Sequence, residues 1–170
     1  MQRILIPKQR AALLDKKRVG ELEEALRCRI EIEEGNDVLI DGDGYWEYVA
    51  RNVLMAYGRG FSIAEAMKLL AESYFFKYLN LKDSLSNDKQ IRRIKARIIG
   101  SNGKTKKRIE EFSGAVLSVY GNGVGIIGTE DEIEIAMAAL RILVGGGMHS
   151  NAYRAMELEK KKKTSSHFGV

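Results

Sequence analysis

The sequence predicts an α+β fold in which one strand–helix–helix–strand–strand–helix unit occurs twice. Amphipathic segments with a period of three to four residues alternate with segments of period two, which indicates helices between strands. Matching turn residues recur 85 to 87 positions apart, which indicates an internal repeat. With 170 residues, 45% of them hydrophobic and 30% charged, the chain is long enough for two small globular units. We therefore expect two three-stranded sheets, each packed on helices.

The first unit is predicted over residues 1–60. A strand at Arg3–Ile6 stops at Pro7, and a short helix follows over 8–14. The charged run Asp15–Arg18 is expected to interrupt the helices. The periodicity then predicts, in order, a helix through Val19, Leu22 and Leu26, a hairpin of strands at Ile30–Ile32 and Val38–Ile40, and a helix over 44–57.

Residues 61–74 are predicted as a linker helix between the two units. Ser62 and Glu65 form a capping-box pattern at its start, and the apolar spacing continues to about Ser73. The helix is expected to act as a spacer.

The second unit is predicted over residues 75–148 and repeats the order of the first. Its elements are a strand at Phe75–Leu81, a polar loop at Lys82–Asp88, a helix with Ile91, Ile94 and Ile98 on one face, a helix from Lys104 to Gly114, strands at 115–120 and 124–127 joined by Asn122-Gly123, and a helix ending at Gly145. Residues 149–170 are expected to form a helix capped by Ser150 that ends at Lys160–Lys163, with frayed residues after it.

The two copies differ at one turn. Aligning the halves places Asp15–Arg18 opposite Gly100–Gly103. Both glycines are missing from the first copy, so the two units are predicted to share a fold but not the chemistry of this turn.

Charge is distributed unevenly along the chain. Residues 1–88 contain 13 Lys/Arg and 15 Asp/Glu, whereas residues 89–170 contain 15 and 8. Residues 89–108 hold nine basic residues and no acid. A basic segment this pure is typical of a surface that binds a polyanion, the alternative being a solvated basic face.

The Gly100-Ser101-Asn102-Gly103 turn lies inside this basic segment. Its glycines place no Cβ between the backbone and a ligand, and the helix start that follows can face an anion. Ile98 and Ile99 could offer an apolar floor for unstacked bases. With the order of elements around it, the turn predicts a KH domain, whose Gly-x-x-Gly loop clamps about four single-stranded nucleotides. The RNA-binding residues predicted are Arg92, Arg93, Lys95, Arg97, Ile98, Ile99, Gly100, Ser101, Asn102, Gly103, Lys104, Thr105, Lys106, Lys107, Arg108 and Ser118.

Two other glycine-containing segments resemble nucleotide-binding motifs, but each lacks a feature that the motif requires. A P-loop ending at Gly103-Lys104-Thr105 would need its first glycine at position 98, which is Ile98. The segment Gly123–Gly128 has the spacing of a dinucleotide fingerprint. Acidic residues crowd the helix start after it, where a pyrophosphate would have to bind, so we exclude both motifs.

No constellation in the sequence predicts catalysis, a cofactor or a metal site. The lone cysteine, Cys28, excludes an intramolecular disulfide, and His149 and His167 form no evident cluster. No apolar run approaches the length of a membrane span. We expect a non-enzymatic, soluble, cytoplasmic binding protein.

The motif Arg97–Lys106, with Ile109-Glu110, Val124–Gly128 and His149–Tyr153 after it, resembles the archaeal two-KH ribosome-assembly proteins. These are counterparts of the eukaryotic partner-of-Nob (Dim-two) factor. The resemblance implies two type I KH domains, of which the first has lost its Gly-x-x-Gly and the second binds RNA near the 3′ end of small-subunit ribosomal RNA. It also implies two protein partners, the alpha subunit of initiation factor two and the PIN-domain endonuclease that trims the rRNA precursor.

Two other hypotheses remain open at this point. The chain could be a protein-interaction scaffold that contacts its partners through the acidic first unit, with Tyr45 or Trp46 as anchors. It could also be a general single-strand RNA or DNA binder without a ribosomal role.

Overall fold

A computed structural model describes residues 1–169 and divides the chain into two compact units. Unit 1 spans Met1–Ala71, and unit 2 begins at Glu72. Each unit contains one three-stranded antiparallel sheet with the sequence-first strand at one edge and the sequence-last strand in the centre. The predicted α+β architecture with two copies of one unit is confirmed.

Unit 1 packs one face of its sheet on helices. Its elements are β1 (Gln2–Leu5), α1 (Lys8–Ala11), α2 (Lys16–Leu26), β2 (Cys28–Ile32), β3 (Asp37–Gly42), α3 (Gly44–Gly58) and α4 (Ile63–Ala66). The central strand β3 pairs Val38 with Ile4 of β1 and Ile40 with Ile30 of β2. All four side chains are buried, so the alternation of apolar residues sets which sheet face packs on the helices.

The turn between α1 and α2 lies three residues earlier than predicted. Helix α1 ends at Ala11, and α2 already begins at Lys16, so the connection is Ala12–Asp15. The Asp15 carboxylate accepts a hydrogen bond of 2.8 Å from the Arg18 amide and caps α2. The predicted loop at Asp15–Arg18 is therefore wrong, because this cap makes the charged run the first turn of a helix.

The predicted linker helix is also wrong in length and role. Ser62 and Glu65 form the capping box as expected, with hydrogen bonds of 2.8 and 3.1 Å. However, α4 ends at Ala66, and a 3-10 turn over Met67–Leu70 follows it. Buried Ala66 and Leu69 tie this segment to unit 1, where it packs on α3 instead of spanning to unit 2.

Unit 2 repeats the arrangement with a longer connection after its first strand. Its elements are β4 (Phe75–Asn80), α5 (Asp88–Ile99), α6 (Lys104–Ser113), β5 (Val116–Tyr120), β6 (Gly123–Gly128), α7 (Glu130–Val144) and α8 (His149–Phe168). The core lies between the sheet and the helices and includes Ile91, Ile94 and Ile98 from α5, Ile109 from α6, and Leu140 and Leu143 from α7. The apolar stripe predicted for α5 is confirmed.

The glycines of Gly123–Gly128 serve strand packing. The whole motif lies within the buried central strand β6, so it contains no loop that could hold a pyrophosphate. A Cβ on Gly123 would come within 2.4 Å of the Tyr78 ring, and one on Gly128 within 2.9 Å of the Glu132 carboxylate. The structure thus supports the exclusion of a dinucleotide site.

Helix α8 differs from its prediction at both ends. It begins at His149 with Met148 as the N-cap, so Ser150 is not the cap, and it continues past Lys160–Lys163 to Phe168. Ala152 and Met156 are buried against unit 2. Lys163 binds the carboxylates of Glu134 and Asp131 on α7, and the hydrogen bond that it donates to Glu134 raises the pKa of Lys163 above its ordinary value. These contacts hold the last turns in helical form, which contradicts the predicted fraying; Val170 lies outside the described residues.

None of the helices in residues 1–169 combines the length and the apolar character needed to cross a bilayer.

Candidate nucleic-acid interface

The turn between α5 and α6 depends on left-handed backbone conformations. Gly100 has φ +75°, Asn102 +53° and Gly103 +73°. The Gly100 amide ends α5 by donating to the Ala96 carbonyl at 2.8 Å, and the Gly103 amide donates to the Gly100 carbonyl at 3.2 Å. Glycine, and asparagine to a smaller extent, adopt positive φ at low cost. Ser101 and Asn102 are consequently presented to solvent at the apex of the turn.

Thr105 packs tightly beneath this turn. A Cβ added to Gly100 would lie 2.2 Å from the Thr105 hydroxyl oxygen and 2.9 Å from its amide nitrogen. Thr105 is itself buried, which identifies its side chain as part of the packing that shapes the turn. No atom lies within 4 Å of the corresponding position on Gly103. The two glycines of the motif are therefore needed for different reasons.

The start of α6 is left open to an anion. No side chain caps it, and its first turn contains no acidic residue. By contrast, Asp15, Asp43, Asn87 and Thr129 cap α2, α3, α5 and α7. The first N–H groups of a helix lack intrahelical partners and carry the positive end of its dipole. An uncapped start beside a glycine turn and a basic surface is suited to a phosphate group.

The two isoleucines before the turn have different roles. Ile98 is completely buried in the core, whereas Ile99 is 37% exposed. The prediction that both form an apolar floor for bases is wrong for Ile98, because its position on the Ile91–Ile94 stripe directs it inward. Only the Ile99 side chain is accessible to a ligand.

Two of the predicted cations are held by backbone carbonyls. Lys95 donates to the Gly121 carbonyl at 2.7 Å, and Arg97 donates to the Gly147 carbonyl at 2.5 Å. A neutral carbonyl leaves the charge of each cation uncompensated. These bonds therefore position positive charge on either side of α5.

The remaining cations fall into two groups, those that form an ion pair with a carboxylate and those that do not. Lys106 pairs with Glu110 at 3.1 Å and Lys107 with Glu111 at 3.7 Å, so their charges are partly compensated within α6. Four cations around the turn have no carboxylate within 4 Å anywhere in residues 1–169: Arg92, Arg93, Lys104 and Arg108. These four supply the positive potential that a polyanion would meet first.

Three comparisons with known proteins agree on the family. The family model for the second KH domain of PNO1, described as a eukaryotic type KH-domain (KH-domain type I), matches residues 75–162. The KH domain-containing protein MJ0443 of Methanocaldococcus jannaschii is 35% identical over 171 residues, covering 96% of this chain and 75% of that protein. The crystal structure of Dim2p from Pyrococcus horikoshii is 38% identical with a TM-score of 0.84, covering 92% of this chain and 97% of that one. The chain belongs to the Dim2/PNO1 family of KH-domain RNA-binding proteins.

Two further structures resemble this Dim2/PNO1 member. One is a complex of a/eIF2alpha, aDim2p and rRNA from Pyrococcus horikoshii, at 38% identity and a TM-score of 0.86, covering 95% of this chain and 94% of that one. The other is a protein of unknown function from Aeropyrum pernix, at 24% identity and a TM-score of 0.89, covering 98% and 94%. The second likeness concerns the fold alone. The predicted tandem KH architecture is confirmed.

In unit 1 of this Dim2/PNO1 protein, the equivalent turn leads into a helix start that a side chain already caps; we call this the closed turn. Ala12–Asp15 joins α1 to α2 with four residues, as Gly100–Gly103 joins α5 to α6, and it contains no glycine. Leu14 is buried, and Asp15 places a carboxylate over the helix start. A negative charge thus occupies the position that is open to an anion in unit 2.

His149 belongs to the site, although no sequence pattern predicts its place there. Its imidazole Nε2 lies 2.9 Å from the Arg97 carbonyl, so that nitrogen carries the proton that is donated. Together with Arg93, Lys104 and the turn, His149 lines an open groove of about 590 Å³ on the α8 side. About fifty residues separate His149 from the motif, and only the packing of α8 brings them together.

Ser118 is not among the residues that line this groove. It is half-buried in β5 and faces Gly125 of the central strand in the register of the sheet. A contact between Ser118 and a base stays a prediction. Within the described part of the chain, no group of three His, Cys, Asp or Glu side chains could hold a metal ion.

Proposed function

We propose that unit 2 binds single-stranded RNA by seating a phosphate of the backbone at the Gly100–Gly103 turn. The observation that carries this proposal is the uncapped, acid-free start of α6 directly after the turn. The KH loop clamps the backbone of about four nucleotides, and here it would do so between the cations of α5 and α6. Arg92, Arg93, Lys104 and Arg108 would supply the salt-dependent part of the affinity.

The RNA that we propose is the 3′ region of small-subunit ribosomal RNA, bound during assembly of the subunit in the cytoplasm. The support is a Dim2p relative of 38% identity that was crystallised in a complex containing rRNA. In this role the chain binds and positions RNA, and the reactions of rRNA maturation belong to other proteins.

Crosslinking in cells, followed by sequencing of the bound RNA, tests the ribosomal assignment. We expect tags concentrated at one site near the 3′ end of the small-subunit rRNA, and we expect them to disappear when the turn is inactivated. RNA crosslinked to the variant with the inactivated turn measures the background, because any tags that remain come from other surfaces of the protein. Tags scattered over messenger RNAs would contradict the assembly role and favour a general single-strand binder.

A second proposed function is to bring a translation factor or a processing nuclease to the same RNA. The structure of a related aDim2p bound to a/eIF2alpha supports the alpha subunit of initiation factor two as a partner. The PIN-domain rRNA endonuclease is the other candidate. In unit 1, Tyr45 and Tyr48 are about half exposed, and the half-buried Trp46 ring lies 4.8 Å from the Arg27 guanidinium. Exposed aromatic rings of this kind are common anchors at protein interfaces.

A pull-down with and without nuclease treatment tests direct contact with these proteins. We expect the factor alpha subunit to remain bound after the RNA is digested, and to be lost when Tyr45 and Tyr48 are replaced by alanine. The matched control replaces Phe75, which is also half exposed but lies in unit 2. Loss of the partner on nuclease treatment would instead mean that RNA bridges the two proteins.

A further inference from the structure

Helices α6 and α8 lie side by side and form a seam that starts at the RNA-binding turn. Lys104, Arg108 and Phe112 are spaced by four residues and share one face of α6. His149, Tyr153 and Lys160 face them from α8. At a rise of 1.5 Å per residue, the helical stretch from Lys104 to Phe112 alone is about 12 Å long, which exceeds what one phosphate at the turn would occupy.

Within the seam, the guanidinium of Arg108 lies over the ring of Tyr153 and is exposed to solvent. The Arg108 guanidinium lies 3.9 Å from the centre of the Tyr153 ring. Tyr153 is half-buried and Arg108 is exposed, so one face of the guanidinium is supported and the other is accessible. Arginine planes of this kind stack on unpaired bases and also bind phosphate.

A second cation completes the basic part of the seam. Arg154 is exposed and has no carboxylate within 4 Å in residues 1–169. Arg108, Tyr153, Arg154 and the exposed Ser150 line one open groove of about 500 Å³. Glu157 lies at the far end of this groove, where its negative charge limits the basic surface. The groove therefore has room and charge for a short length of a strand.

The position of α8 is set without a ligand. Arg97 donates to the Gly147 carbonyl and His149 to the Arg97 carbonyl, which ties the first residues of α8 to the end of α5. Lys160 binds the Phe112 carbonyl at 3.1 Å, which ties its middle to α6. A preformed groove loses less entropy on binding than one that has to assemble.

We infer that the strand held at the Gly100–Gly103 turn continues along the α6–α8 seam, where Arg108 and Arg154 bind one or two further nucleotides. This inference rests on the proposed RNA binding by unit 2 and adds a second section to that site. This section makes the affinity depend on RNA length beyond the four nucleotides that the turn itself clamps.

Binding of a short and a long RNA separates the two sections. The probes are a four-nucleotide RNA from the 3′ region of small-subunit rRNA and two ten-nucleotide RNAs that extend it in the 5′ or the 3′ direction. We expect Arg154→Ala to weaken binding of one ten-nucleotide RNA about tenfold, as for the removal of a charge-assisted hydrogen bond. We expect no change for the four-nucleotide RNA. The slope of log affinity against log salt should fall by about 0.7 for each phosphate that the variant no longer neutralises.

Arg141→Ala is the matched control, because it removes the same charge from an exposed position on α7 outside these grooves. Arg108→Ala should weaken binding of both RNA lengths, because Arg108 also belongs to the cations around the turn. Arg154 is therefore the decisive position, and its side chain packs on no ring of the described residues. An equal loss for both RNA lengths in Arg154→Ala, or an equal loss in Arg141→Ala, would overturn the seam. Unchanged binding of both ten-nucleotide RNAs would overturn it while leaving the turn intact. Failure of the unaltered chain to bind any of these RNAs would overturn the proposed function as well.

Discussion

Replacing Ser101 and Asn102 together by aspartate is expected to abolish RNA binding while leaving unit 2 folded. Both residues are exposed at the apex of the turn, so the new side chains displace no packed group. Aspartate tolerates the left-handed conformation of position 102 nearly as well as asparagine does. The two carboxylates would face the phosphates and also cap the open start of α6. We expect affinity to fall by at least about a hundredfold, measured by fluorescence anisotropy with a ten-nucleotide rRNA fragment.

The matched control for this double variant lies in unit 1. Replacing Ala12 and Leu13 by aspartate adds the same charge at two exposed positions in the α1–α2 turn of unit 1. RNA affinity should stay within about twofold of the unaltered chain, because long-range repulsion between exposed charges is screened by salt. If the unit 2 variant has an unchanged far-UV circular dichroism spectrum and still binds RNA normally, the turn is not the RNA site. An equal loss in both variants would point to a general charge effect.

Replacing Gly100 by alanine is expected to destabilise unit 2 strongly. The new Cβ would lie 2.2 Å from the Thr105 hydroxyl oxygen, and Thr105 is buried and cannot move away freely. The backbone at Gly100 (φ +75°, ψ 176°) lies in a region that is essentially restricted to glycine and costs alanine about 1–3 kcal/mol. The overpacking costs about 1–3 kcal/mol more. We expect the free energy of unfolding to fall by roughly the sum of the two, measured by urea denaturation followed by circular dichroism.

Gly103→Ala places alanine at positive φ without the steric contact. Gly103 has the left-handed helical conformation (φ +73°, ψ 12°), which alanine tolerates better than the conformation of Gly100 (ψ 176°). No atom lies within 4 Å of the added Cβ. This variant should therefore lose only about 1–2 kcal/mol of stability, the cost of the backbone conformation. The fluorescence of Trp46, the single tryptophan of the chain and a residue of unit 1, reports separately on that unit. Equal destabilisation by the two substitutions would mean that the contact with Thr105 is not tight.

Much of the fold could be predicted because apolar residues repeat with clear periods. The stripe of Ile91, Ile94 and Ile98 predicts α5 and its buried face, and the alternation around Ile30 and Val38 predicts the hairpin of unit 1. The predictions of helix ends are wrong where a single side-chain contact determines at which residue the helix begins or ends. The Asp15 cap moves the start of α2, and the anchoring of Lys163 on α7 extends α8.

The candidate site was predictable in part, for a similar reason. The glycine turn and its basic flanks are local in the sequence, so they can be recognised there. Periodicity alone already assigns Ile98 to the core, although its side chain was also expected to contact bases. The ion pairs that compensate Lys106 and Lys107 follow an i, i+4 spacing that the sequence contains. The contribution of His149, by contrast, depends on a tertiary contact across about fifty residues, for which no local pattern exists.

The carboxylate of Asp15 has a consequence for how many ways one strand can bind. A tandem repeat with two equivalent phosphate sites would accept the same polyanion in two alternative placements, and a population of molecules would be divided between them. Because the Asp15 carboxylate accepts a hydrogen bond of 2.8 Å at the start of α2, the proposed mode of binding leaves one placement, at the turn of unit 2. Under this proposal, the duplication retains a second copy of the fold without adding a second, competing binding site for the RNA.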